Sequence, residues 1–400
     1  MKVKRWVFTS LLGIVIVGVG FILAAQPYNL VRFLGFIWII CGLVLFVLGT
    51  SKMTVSLLTL FLPKGERDLV DILYRHRYLE RGPKIVTIGG GHGLSHLIFG
   101  LKEYTANITA IVTVADSGGS SGRLREEFNI VAPGDIRNCL VALADAPELV
   151  GKLFQFRFSK DSEFKGHNFG NLFLTAMVQL TEGDFEKAVQ ETSKVLAIRG
   201  KVVPATVSNV HLVAEYMDGT KTEGEAEIPN LKSRIKRLTL TENALPTRDA
   251  LAAIEEADVI ILGPGSLYTS VIPNLIIRGM SEAVAKSSAF KIYICNVMTQ
   301  PGETDRYSAS DHVKAIIDHS NSDVIDACLL NDAQIPQNTL GRYREEKAYP
   351  VESDIEKIQQ MGYRVVAMDL LGVTDYVRHD SKKLNKALIN LIESYRVIRR

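Results

Sequence analysis

The sequence predicts an α/β chain: a Rossmann-like, doubly wound, mostly parallel sheet with a small β-rich insertion, preceded by two transmembrane helices. Three observations carry this. Two charge-free apolar runs, Trp6 to Ala25 and Phe33 to Ser51, open the chain. Further on, the apolar strand Lys84 to Ile88 runs straight into Gly89-Gly90-Gly91-His92-Gly93 and a helical stretch, Leu94 to Lys102. With Ile108 to Val114 as the next strand, this is how a doubly wound sheet begins. Third, the runs Val210 to Tyr216 and Thr222 to Ile228 flank Asp218-Gly219, a hairpin signal inside the α/β pattern.

Each N-terminal run is close to the ~20 residues that cross a bilayer as a helix. The polar turn Gln26-Pro27-Tyr28-Asn29 joins them, so residues 1–52 read as a hairpin and not as a cleaved signal peptide. Lys2, Lys4 and Arg5 precede the first run; Lys52, Lys64, Arg67, Arg75, Arg77 and Arg81 follow the second; the turn side carries only Arg32. The positive-inside rule then places both termini and the main domain in the cytoplasm, on a two-span cell-membrane protein. The glycines of the spans serve either ordinary packing or a dimer seam.

Residues 53–82 form a connector. Glu66 to Arg81 has Leu69, Ile72, Leu73 and Leu79 at helical spacing with basic residues opposite. Such a helix lies along anionic headgroups or packs on the domain. The main domain occupies residues 83–400. Val259 to Leu262, Lys291 to Cys295 and Tyr363 to Met368 are further buried-strand candidates, and Leu275 to Lys286 carries a helical pattern.

Composition excludes several classes. A formal net charge of +2 over 400 residues argues against a nucleic-acid-binding stripe. The four cysteines, Cys41, Cys139, Cys295 and Cys328, form no CxxC pair, which leaves no zinc knuckle or disulfide framework to expect and fits a reducing compartment. No HExxH motif, Cys/His cluster or Ser-His-Asp spacing is present.

The chemistry sits in the loops. Glycines 89, 90, 91 and 93 let backbone approach an anion at a helix N-terminus, where unpaired N–H groups favour phosphate. The loop lacks a Walker Lys-Ser/Thr ending. Asp116 ends the second strand, where an acid binds a ribose in dinucleotide folds. The following Ser117-Gly118-Gly119-Ser120-Ser121-Gly122-Arg123 reads as a second cradle or as a mobile surface loop. In Pro133-Gly134-Asp135-Ile136-Arg137-Asn138, Asp135 is a helix cap or a ligand-facing acid, with or without a bridging Mg²⁺; it is the candidate catalytic residue. Asn138 stands at the same helix start, His167 and Asn171 at one further, and His167 is either a proton or phosphate donor or a turn cap. Gly263, Gly265 and Ser266 build another anion-friendly turn, and Asn296 follows the next strand. Four loops after strands would then converge on one sheet edge.

Taken together, GGGHG, VADSGGSSGRLR, PGDIRN, GHNFGN, GPGSLYTSVIPNL and YICNVMTQPGETD resemble the bacterial gluconeogenesis factor family (YvcK-like), within the CofD-like superfamily, over residues 83–400. The resemblance implies a domain that binds UDP-sugars, notably UDP-N-acetylglucosamine, and supports cell-wall precursor synthesis and cell shape. It also implies glucosamine 6-phosphate synthase as a partner, and a homodimer is a further expectation. Uridylyltransferase activity, or CofD-type 2-phospholactate transfer, is the enzymatic alternative. Tyr343, by the same resemblance, packs on the sugar nucleotide and Arg378 is its partner, a ring for stacking and a guanidinium for the diphosphate. The chain departs from the family pattern at His92, where threonine is usual, and at Ser117, where a second aspartate is usual. The lost carboxylate favours a membrane-tethered sensor over a metal-dependent transferase; a scaffold with a vestigial cleft is the third reading.

Overall fold

Two helices open the chain, α1 (Lys2–Ala24) and α2 (Asn29–Phe61). The computed structural model describes residues 2–61, 78–145, 148–159, 163–230, 233–336, 340–341, 343, 345–373 and 377–398. It separates into two compact units, Met1–Arg75 and His76–Arg400. Helix α2 runs beyond the expected Ser51 because Met53 to Phe61 contains no breaker; the first proline is Pro63. Most of the expected amphipathic connector helix lies outside the described residues.

Glycine decides how α1 and α2 pair. Gly13 and Gly20 on α1, and Gly35, Gly42 and Gly49 on α2, recur every seven residues and so stay on one side of each helix. A Cβ on Gly42 would stand 2.8 Å from Gly13 O and Val17 N, and one on Gly35 would stand 2.4 Å from Ala24 N. The seam therefore lies within the hairpin, backbone against backbone. The outward side chains are apolar and exposed, among them Phe8, Leu11, Ile14, Phe21, Phe33 and Ile40. Both helices are long and apolar enough to cross a membrane.

The second unit is built on β1 (Ile85–Gly89), α3 (Gly91–Leu101), β2 (Ile108–Val112), α4 (Gly119–Phe128), α5 (Gly134–Leu143), α6 (Glu148–Gln155), α7 (Phe169–Leu180), α8 (Phe185–Val195) and β3 (Lys201–Pro204). Next come β4 (Leu212–Tyr216), β5 (Lys221–Glu223), β6 (Ile235–Leu240), α9 (Arg248–Glu256), β7 (Val259–Leu262), α10 (Ile272–Leu275), α11 (Met280–Lys286) and β8 (Phe290–Ile294). The chain continues through α12 (Ala309–Ser320), β9 (Ala327–Asn331), α13 (Ile355–Gln360), β10 (Arg364–Met368), β11 (Leu371–Val373), β12 (Val377–His379) and α14 (Ser381–Ile398).

Seven strands form one sheet in the order β10-β9-β8-β7-β1-β2-β3, every pair parallel. Helices cover both faces, so the strands are continuous apolar runs: Ile85–Gly89, Val259–Leu262 and Phe290–Ile294 are buried throughout. Strand order reverses between β1 and β7, and the crevice above such a switch point is where open α/β sheets take ligands. The expected insertion is a three-stranded sheet, β5-β4-β6. Its second strand is shorter than expected because Gly224, at φ +99°, turns the chain away. The expected helix Leu275 to Lys286 is broken at Gly279, φ +90°.

Candidate functional site

The cavity at the switch point holds about 400 Å³, within the range of small-molecule sites. Gly91, His92, Gly93, His96 and Leu97 line one wall; Pro264, Gly265, Ser266 and Ser270 line another. Asn296, Val297, Met298 and Gln300 close it from the β8 side, and Val377, Arg378, His379, Ser381 and Leu384 from β12 and the start of α14. Three of the four expected loops thus meet at one sheet edge.

The glycine loop is shaped by protein neighbours before any ligand arrives. A Cβ on Gly90 would lie 2.5 Å from Thr113 Cγ2 and 2.6 Å from Asp135 Oδ2, and one on Gly93 would lie 2.7 Å from Pro264 O. Gly91 needs φ +67°. Its N–H donates to Asp135 Oδ2 at 2.7 Å, so the helix N-terminus already faces one anion. Asp135 sits in the first turn of α5 but does not cap it; its carboxylate reaches across to α3. Burial pushes that carboxyl up to about 6, against the Gly91 N–H, and the charge of Asp116 pushes the same way.

The Ser/Gly stretch after Asp116 is not an open cradle. Asp116 Oδ1 accepts Gly118 N–H at 2.8 Å, and Gly119 then begins α4. Ser120 and Ser121 are buried against α7: Ser120 Oγ accepts Asn168 N–H at 3.1 Å, and both hydroxyls take Asn171 Nδ2 at 3.3 Å. Arg123 donates to Lys165 O at 3.0 Å. Asn171 and Asn138 hold Arg137 between them, at 3.0 Å and 2.6 Å. Burial and the charge of Arg157 lower Arg137 to about 10. His167 stands apart from the cavity lining, 3.4 Å from Ser120 Oγ, its pKa lowered by burial and Arg123.

Across the crevice, Gly263 takes φ +80° before the cis Gly263–Pro264 bond. Gly265 lies so close that a Cβ would meet Gly90 O at 3.1 Å. Ser266 accepts Thr269 N–H at 3.2 Å and donates to the Glu303 carboxylate. Asn296 Nδ2 donates to Gln300 Oε1 at 3.4 Å. Arg378 lines the cavity, whereas Tyr343 does not. The Tyr343 ring is buried with Val297, Ala348, Leu371 and Val377, and its hydroxyl accepts Val377 N–H. It therefore braces the strand that presents Arg378.

Charge is sorted around the loop. The charges that act most on His92 are His96, Arg378, Arg137 and Arg157, all positive. Among the acids, Glu225 feels Asp116, Glu303 and Asp135, and Asp135 feels both Asp116 and the opposing charge of Arg137. Glu225 is pushed up to about 7 by burial and Asp116, and Glu303 to about 7 by burial. Among the described residues no three His, Cys, Asp or Glu side chains come together to hold a metal ion. Such a donor set does not fit a resident metal.

The chain has counterparts among known proteins. The family model for 2-phospho-L-lactate transferase CofD matches residues 85–371. The gluconeogenesis factor of Bacillus subtilis is 50% identical over 313 residues, covering 78% of this chain and 98% of its own. The chain belongs to the gluconeogenesis factor branch of the CofD family. The crystal structure of a UPF0052 family protein from Bacillus halodurans matches with a TM-score of 0.75 at 47% identity, over 77% of this chain and 99% of that one. A relative from Nostoc sp. is 47% identical over 97% of this chain and 90% of its own length. The Nostoc match thus extends over nearly the whole chain, while the Bacillus subtilis match covers about four-fifths of it.

Within this family fold, the residues that sequence reasoning missed are Glu225, Glu303, His96 and His379. Glu303 lies inside the motif PGETD and was open to notice; Glu225 is carried in by the insertion and has no local signature. His379 is pushed down to about 4 by burial, against a backbone hydrogen bond to Cys295.

Proposed function

We propose that this domain binds a UDP-sugar, UDP-N-acetylglucosamine, in the switch-point cavity and acts as a membrane-tethered regulator of cell-wall precursor synthesis and cell shape. The observation that carries the reading is the convergence of the Gly91–Gly93 helix start and the Arg378 guanidinium on one cavity of about 400 Å³. A diphosphate needs both: backbone N–H groups at a helix N-terminus, and a planar cation opposite. The name of the Bacillus subtilis relative supports a role in gluconeogenic metabolism.

The hairpin fits the tether. Its apolar side chains point outward, and only a lipid environment or another apolar surface removes them from water. With basic residues flanking both runs, the domain then lies in the cytoplasm. There it regulates wall-precursor enzymes such as glucosamine 6-phosphate synthase, as a monomer or a homodimer. The test is a co-crystal with UDP-N-acetylglucosamine: the diphosphate is expected between Gly91–Gly93 and Arg378. A ligand seated elsewhere, with that cavity empty, overturns the reading.

A second reading is a nucleotide-dependent transferase of the uridylyl or 2-phospholactyl type. It is favoured by Asp135, a carboxyl held at about 6 beside the phosphate loop, in the range of a general base. It requires turnover of UTP with N-acetylglucosamine 1-phosphate, or of a deazaflavin acceptor, and loss of that turnover in Asp135→Asn.

A further inference from the structure

We propose that His92 and His96 form a proton-linked contact to the ligand's phosphates, taking up a proton when the anion enters and so setting both charge selectivity and the pH dependence of binding. The inference rests on the phosphate-binding reading above. His92 is the second residue of α3 and His96 lies one turn later, so both stand on the same helix face. Both line the cavity, with Arg378 and His379 on the facing strand.

The unliganded cleft resists a charge on His92. On its own helix His92 meets His96 and the positive N-terminal end of the dipole. From β12 it meets Arg378, from α5 Arg137, and from the segment after α6 Arg157. His379, also on β12, is held neutral by burial. The carboxylates of the neighbouring loops, Asp135 and Glu303, accept hydrogen bonds from Gly91 and Ser266. Burial and the surrounding cations accordingly hold His92 below the ordinary histidine range. An entering diphosphate reverses this field: it adds two negative charges beside the pair, and a protonated imidazole there then gains a charge-assisted bond. The imidazole pKa rises on binding, so a proton is taken up, and affinity must increase as pH falls through the window between the free and bound values. With one proton linked, the affinity changes by at most about tenfold per pH unit.

The experiment is calorimetry of the full chain in detergent, titrated at pH 7 with UDP-N-acetylglucosamine in PIPES, HEPES and Tris. The slope of observed enthalpy against buffer ionisation enthalpy counts protons. The expected result is net uptake approaching one proton, reduced in His92→Gln and His96→Gln and abolished in the double variant, which still binds. Thermal melts confirm that the variants fold. Binding with a zero slope, or with uptake unchanged in the double variant, overturns the inference while leaving the ligand assignment intact. Absence of any binding heat overturns the ligand assignment and this inference together.

Discussion

Asp135 Oδ2 accepts the Gly91 N–H at 2.7 Å, so the glycine loop of this protein holds one of its own carboxylates. That carboxylate and an incoming phosphate compete for the same region of positive potential. Replacing Asp135 by asparagine keeps an oxygen acceptor for Gly91 but removes the charge. At cleft distances the relief is about 1 kcal/mol, and UDP-N-acetylglucosamine is expected to bind three- to tenfold more tightly to Asp135→Asn by calorimetry. Weaker binding would mean that Asp135 is itself a ligand contact.

Glu303 makes stability depend on pH. Its carboxyl is pushed up to about 7 by burial, while the unfolded chain titrates near the ordinary value of 4.5. A raised folded pKa stabilises below the unfolded pKa, and that contribution disappears as pH rises through about 7. The difference amounts to on the order of 3 kcal/mol at pH 8. Thermal unfolding should shift downward between pH 5 and pH 8, and Glu303→Gln, which keeps an acceptor for Ser266, should flatten that slope and raise Tm at pH 8. An unchanged slope in the variant would refute the assignment.

Gly93 is fixed by packing and not by backbone angle alone. An added Cβ would stand 2.7 Å from Pro264 O, a backbone atom with little room to yield. Gly93→Ala should cost about 1–3 kcal/mol, the usual penalty for forcing atoms into packed space, and should push α3 away from the β7 loop. Urea unfolding measures the first effect; ligand affinity reports the second.

Tyr343 acts at one remove. Its hydroxyl accepts Val377 N–H, next to Arg378. Tyr343→Phe leaves that N–H unsatisfied, at about 1–3 kcal/mol. It should weaken binding without removing any lining residue, and a Tyr343→Phe, Arg378→Ala double variant should bind no worse than Arg378→Ala alone. Additive losses in calorimetry would instead indicate that the ring touches the ligand.

The sheet was legible in the sequence because its strands are buried on both faces. Ile85–Gly89 and Val259–Leu262 stand out as apolar runs ending in glycine turns. Less legible was what the loops do. Periodicity marks Ser120 and Ser121 only as small polar residues; their burial against Asn171 depends on how α4 and α7 meet. The same applies to Glu225, which lies about ninety residues from Asp135 and acts on the same site only because the insertion folds back. Tyr343 is singled out only by the family resemblance, and the structure gives its ring a buried place under β12. Local pattern specifies elements, whereas the acid side and the basic rim of the cleft arise from tertiary placement.

The measurement that bears most directly on the central claim is calorimetric titration of the folded full chain with UDP-N-acetylglucosamine, repeated with Arg378→Ala. The account predicts one-site binding in the wild type and at least tenfold weaker binding in the variant, the loss of about 1.4 kcal/mol or more expected when a phosphate loses its guanidinium. No heat from the folded wild type at millimolar ligand, or equal affinity in the two proteins, would contradict it.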